Sequence, residues 1–266
     1  MNIFPRFLIL GLAVLTASCG SQLLAAKEDQ RSRANLKKQL TAKIERLQKS
    51  KKPSISKGRL TEGTLAHPAE LAAPEGVGYY LSHPIRRTNF GHDRLVFGLM
   101  ALGVHLRGQL GDHPDHRLRI HDLSSKAGGK QKRHINHQMG LDVDLVFYAT
   151  DLEGNVTRSI MTSYGADGKS TDGDYLFDLA RNWEVVAGIV ENEYFGEVRS
   201  ILISNDLKRK LLTYANKLAI TLASENSAER AALDVIIKKA EALMRQPESS
   251  PHDNHFHLSL SNIDRP

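Results

Sequence analysis

Residues 134–145 read HINHQMGLDVDL and residues 252–260 read HDNHFHLSL. Side chains alternate along an extended strand, so His255 and His257 share one face and Phe256 points the other way, into a core. The same period places Asp142 and Asp144 together on one face of a second strand. His137 precedes them in a loop that turns through Gly140, and His252 precedes His255 in another. Five of the twelve histidines thus fall in two short stretches. His137 and Asp144 stand seven residues apart, which is not the i, i+4 helical spacing of an HExxH site. Two histidines with one carboxylate leave a fourth position open on tetrahedral zinc, the catalytic rather than the structural pattern. A water at such a position has its pKa lowered from about 16 to about 7. Geometry alone leaves either Asp142 or Asp144 as the carboxylate ligand.

Outward from these strands, hydrophobic periodicity predicts helices over 93–106, 175–191, 206–222 and 228–245, and strands over 118–123, 141–148, 198–204 and 255–260. Residues 124–136 and 164–174 are rich in Gly, Lys, Ser or Asp and read as loops, and 151–155 (DLEGN) reads as a turn, in keeping with a hairpin. Strands and helices mix without a βαβ rhythm. The expected fold is α+β, with a small, mainly antiparallel sheet carrying the site and helices packed around it.

The 266 residues are 41% hydrophobic and 25% charged, the composition of a folded soluble chain. A single cysteine, Cys19, excludes an internal disulfide, a Cys-ligated zinc finger and an iron–sulfur cluster. There is no P-loop and no GxGxxG, so nucleotide binding has no support. The net charge of +6 is concentrated near the N-terminus: residues 27–59 hold 12 basic against 3 acidic groups, and residues from 61 onward hold 23 against 27. The folded part is therefore mildly acidic and nucleic acid is not an expected partner.

Residues 7–15 are apolar, follow Arg6 and are too short to span a bilayer. They read as a secretory signal, with 16–20 (TASCG) placing Cys19 where a lipobox has its lipidated cysteine, although Thr16 stands where leucine is expected. The division expected is 1–19 as signal peptide with lipobox, 20–59 as a basic tether and 60–266 as the folded domain that carries the zinc site. Within the tether, Leu36, Leu40, Ile44 and Leu47 have the spacing of a short amphipathic helix, which Pro53, Ser54, Ser56 and Gly58 end.

The two histidine stretches resemble those of the penicillin-insensitive murein endopeptidases, within the wider group of lysostaphin-like, D-alanyl-D-alanine and hedgehog-type zinc peptidases. HINHQMGLDVDL is similar to that family's two spaced histidines followed by HQxG and DVD, and HDNHFHLSL to its HxxHFH. The similarity extends to GYYLSHPIRRTNFGHDRLV, LFDLARNWEVV and VRSILISNDLKRKLLTYA, and so covers 76–260. Asn136 departs from the serine often found there. The resemblance implies one Zn2+ held by His137, Asp144 and His257, with His255 as base or transition-state stabiliser and His252 and His134 lining the site. His134 remains a further ligand candidate, and Asp142 takes a supporting place. It also implies cleavage of the D-alanyl–diaminopimelyl cross-links of peptidoglycan in the periplasm. The lipobox at Cys19 and the basic tether depart from the family pattern and suggest a version held by lipid, with Gly20 after the cysteine favouring the outer membrane over the inner. A D,D- or L,D-carboxypeptidase of the same superfamily and a non-catalytic wall-binding lipoprotein are the alternatives. Arg86, Arg87 and Asn89 are candidates to hold peptide carboxylates or plain surface residues. His92 lines the cleft or caps a helix, and Asp178, Arg181, Asn182 and Trp183 read as packing residues.

Overall fold

The computed structural model describes residues 19–72, 74–223 and 227–263, with side chains from residue 31 onward. Residues 1–18 of the expected signal peptide lie outside the described residues, as does the side chain of Cys19. The order is α1 (Cys19–Ser50), β1 (Ile55–Arg59), β2 (Glu62–Ala66), β3 (Ala69–Glu70), β4 (Glu75–Gly76), β5 (Tyr79–Leu81), β6 (Phe90–Gly91), α2 (Asp93–Leu110), β7 (Leu118–Ile120) and β8 (Asp142–Val146). It continues through β9 (Ala149–Asp151), β10 (Tyr175–Phe177), α3 (Leu179–Glu191), β11 (Val198–Leu202), α4 (Asn205–Ala223), α5 (Ser227–Leu243), β12 (Met244–Arg245) and β13 (His255–Leu260).

Seven strands form the main sheet in the order β12-β11-β13-β8-β7-β5-β4. Its pairings are antiparallel except for β11 with β12 and β5 with β7. The fold is thus α+β with a mainly antiparallel sheet. Phe256, Leu258, Val143 and Leu145 are fully buried on one face of the central strands, in one core with Leu95, Trp183 and Leu211 from the helices. Phe256 meets Phe147 edge-on, with ring centroids 4.7 Å apart. Burying such aromatic and aliphatic side chains contributes about 1.5–3 kcal/mol each and fixes which face of β13 and β8 is left for polar groups.

Two stretches differ from the sequence expectation. Residues 175–177 form a strand paired with β9, and the helix begins only at Leu179. Asp178 stops it from extending further upstream, because its carboxylate accepts from the Arg181 backbone N–H at 3.0 Å as an N-cap. The 151–155 turn forms as expected, with Thr150 bridging Val156 in antiparallel fashion across it, and β9 pairs with β10 as well. Residues 60–92, for which no element is expected, carry short strands of two to five residues.

The basic stretch does not stand apart from the domain. Ile44 and Leu40 are buried, and with Leu36 and Leu47 they pack α1 against α2. Arg33 donates to Gln109 Oε1 at 3.3 Å, and the buried Ser56 hydroxyl donates to the Met139 carbonyl at 2.7 Å. The leucine spacing specifies an apolar face, and the flank of α2 covers it. Among the described residues no helix is long and apolar enough to cross a membrane.

Candidate metal centre

The register of β8 against β13 builds the site. His257 lies directly opposite Asp144, and Ser259 opposite Asp142. Cross-strand partners put their side chains on the same face, so the polar face of the two strands is a compact array of His255, His257, Ser259, Asp142 and Asp144. His134 and His137 reach it from the loop before β8, and His252 from the loop before β13.

Three imidazole nitrogens converge on one oxygen. Asp144 Oδ1 lies 3.0 Å from His257 Nδ1, 3.3 Å from His137 Nε2 and 3.4 Å from His255 Nε2. Asp144 Oδ2 lies 3.6 Å from His134 Nδ1. The ligand atoms of His134, His137 and Asp144 all fall within 4.8 Å of one another, and so do those of His252, His255 and His257. The ring of His252 is 5.4 Å from that of His255 and 5.8 Å from that of His257. Every residue named from the sequence as catalytic or metal-binding is therefore brought to one place.

The surroundings orient these rings. His137 Nδ1 donates to the Leu123 carbonyl at 2.8 Å, which leaves Nε2 with its lone pair facing Asp144. That Nε2 is buried and makes no hydrogen bond. A buried lone pair turned toward a buried carboxylate oxygen is unfavourable unless a cation lies between them, so this donor set fits a metal ion. His257 Nε2 donates to Asp142 Oδ1 at 3.2 Å, and the Ser259 hydroxyl donates to the same oxygen at 2.6 Å. Asp142 thus orients His257 and leaves Nδ1 directed at Asp144. His255 Nδ1 is engaged by Asn254 Oδ1, so its Nε2 is the atom presented to the centre.

Charge follows from this packing. Burial raises the Asp144 pKa, but His137, His255 and His257 outweigh it and hold the carboxyl well below its usual range. Burial opposes protonation of His257, but its hydrogen bonds to Asp142 and Asp144 outweigh that and push its pKa up to about 10. Burial and the neighbouring His255 bring His252 down to about 4.

Backbone strain marks the loops. His137 and His252 both have positive φ, 64° and 46°, where a non-glycine residue costs energy. Their loops are held in place: His137 by Leu123, and His252 by the Ser204 N–H on its carbonyl at 2.8 Å. Gly140, at φ 68°, turns the chain from His137 into β8. A Cβ there would lie 2.5 Å from Leu65 Cδ2 and 2.9 Å from the His92 nitrogen. Gly140→Ala is therefore expected to cost about 1–3 kcal/mol, a loss of several degrees in Tm by calorimetry, and to weaken metal uptake.

Sequence reasoning missed Asp122. It is buried, and its carboxylate accepts from Thr88 Oγ1 at 2.6 Å, His134 Nε2 at 3.0 Å and Arg86 Nη1 at 3.2 Å. Burial raises its pKa, but His134 and Thr88 outweigh this and hold it ionised. Arg86 is thus tied to Asp122. Asn89 is buried and bonded to Glu70 and the Leu71 carbonyl. His92 caps α2, accepting from the Arg94 N–H at 3.2 Å. Arg181 and Asn182 hold the carbonyls of Asp115 and Tyr148, as packing residues do.

An α+β domain with histidines and a carboxylate gathered on the central strands of its sheet carries two adjoining groups of ligand atoms spaced to hold a metal ion. Residues 56–170 match the family model for penicillin-insensitive murein endopeptidase, which supports the resemblance carried by the histidine stretches. The match supports a peptidase that acts on peptidoglycan. The match contains His134, His137 and Asp144, while His252, His255 and His257 join them through the pairing of β13 with β8. No curated protein matches the chain.

Proposed function

We propose that the chain is a zinc-dependent endopeptidase that cleaves the D-alanyl–diaminopimelyl cross-links of peptidoglycan. The convergence of three imidazole nitrogens on Asp144 Oδ1 carries this reading, together with the family match. His137 Nε2, Asp144 and His257 Nδ1 would hold the ion. When bound, zinc supplies a Lewis acid that polarises the scissile carbonyl and acidifies a water. His255 accepts the proton at Nε2 and returns it to the leaving amine. His252 and His134 line the site and would help stabilise the developing negative charge. A basic depression of about 460 Å3 beside His134, lined by Lys130, Lys132 and Arg133, suits a substrate that carries free carboxylates.

The secreted location follows from the same reading: a leader over 1–19, lipid at Cys19, and action on the wall from the periplasmic side, with the outer membrane as the anchor. The proposed division is amended so that α1 and β1 join the catalytic unit through Ile44 and Ser56. Digestion of purified cross-linked muropeptide dimers tests the activity. Zinc-dependent conversion of dimer to monomer, lost on chelation and restored by zinc, is the expected outcome. Loss of a terminal D-alanine alone would make the chain a carboxypeptidase, and no turnover with zinc bound would overturn the enzymatic reading.

A further inference from the structure

His134 sits in the 124–141 loop, outside any helix or strand, so nothing in its local backbone fixes the direction of its ring. Asp122 does. That residue follows β7 and is 2% exposed. Its carbonyl accepts the Asp144 N–H at 3.1 Å, and the neighbouring His121 N–H donates to the Asp144 carbonyl at 2.9 Å. The backbone beside Asp122 is therefore stitched to β8 at the residue where the imidazoles meet. On its other side, Thr88 and Arg86 clamp the carboxylate. An ionised carboxylate only accepts, so the 3.0 Å contact requires that His134 Nε2 carry the hydrogen. Nδ1 is then the ring atom turned toward the centre, 3.6 Å from Asp144 Oδ2.

We propose that Asp122 is a positioning residue that fixes the tautomer and direction of His134, so that Nδ1 is the ring atom presented to the reaction centre. The logic is that of a carboxylate orienting a catalytic imidazole from behind. Asp122 itself is not a metal ligand: His134, Arg86 and Thr88 engage its oxygens, and it belongs to neither group of converging ligand atoms. The catalytic half of this proposal rests on the endopeptidase reading, whereas the tautomer half does not.

The test uses the full chain. In metal-free protein labelled with 15N-histidine, long-range proton–nitrogen correlation at alkaline pH reports which ring nitrogen is protonated, with His134→Gln supplying the assignment. The wild-type ring should show hydrogen on Nε2, and Asp122→Ala should give a mixture of both tautomers. Asp122→Asn keeps an oxygen acceptor and should restore the wild-type pattern in part; it also serves if the alanine variant fails to fold. In the zinc-loaded chain, Asp122→Ala should lower kcat by about 10–100-fold with KM and zinc content little changed. Adding it to His134→Gln should cost nothing further. An unaltered His134 tautomer in Asp122→Ala and Asp122→Asn, or a full additional loss in the double variant, would overturn the proposal. Should the wild type cleave no muropeptide, the endopeptidase reading falls while the tautomer measurement still decides what Asp122 does.

Discussion

Alanine at position 257 is expected to empty the metal site and abolish muropeptide cleavage, by roughly 10³-fold or more, equivalent to about 4 kcal/mol in the barrier. His257 is the cross-strand partner of Asp144, and its two nitrogens address two buried carboxylates at 3.0 and 3.2 Å. Its loss removes a ligand and leaves Asp142 and Asp144 buried without that donor, which costs about 3–5 kcal/mol. The check is zinc stoichiometry by mass spectrometry beside the unfolding midpoint. His257→Asn returns a donor to the carboxylates and should recover part of the stability but none of the activity. In the metal-free protein the pKa of His257 is raised to about 10 from 6.5. Its contribution to stability is fully present below the unfolded value and is lost as pH rises through the folded one. Metal-free wild type should lose stability between those limits, and His257→Ala should not share that loss. Retention of one tightly bound zinc by His257→Ala would remove it from the ligand set.

The second large effect is its opposite in character. His255→Ala should keep one zinc and a near-normal midpoint, yet lose about 10²–10⁴-fold in kcat. His255 stands two residues from His257 on the same face, but its side chain is 20% exposed at the mouth of the site against 7% for His257. Asn254 engages Nδ1, which leaves Nε2 at the centre to accept a proton. Steady-state kinetics on the dimer beside metal content decide the matter. A fall in kcat at constant zinc marks a proton carrier, and loss of zinc would make His255 a ligand instead.

The two histidine stretches were legible because their information is local. A period-two pattern such as HFH or DVD states its face without reference to the rest of the chain, and Phe256 and Val143 went into the core as that pattern requires. Asp122 was not legible. It meets His134 across a twelve-residue Gly- and Lys-rich loop, and no periodicity links the two. Residues 175–177 misled for a related reason, since apolar spacing continues smoothly through Asp178 and only the cap reveals where the helix begins. The leucine face of α1 announced a helix, but a stripe of leucines does not say what it will lie against.

The pairing of β13 with β8 joins residues 113 positions apart at Asp144 and His257. Among the described residues β13 is also the last strand in chain order, yet it occupies an interior place in the sheet, between β11 and β8. A chain still emerging during synthesis or export therefore has His134, His137 and Asp144 but neither the middle of its sheet nor the rest of its ligands. Closure of the longest loops has to be paid for before the site exists. The order of emergence thus acts as a timer: the strand that completes the proposed site is the last to appear, and a chain truncated before it lacks both the middle of its sheet and His255 and His257.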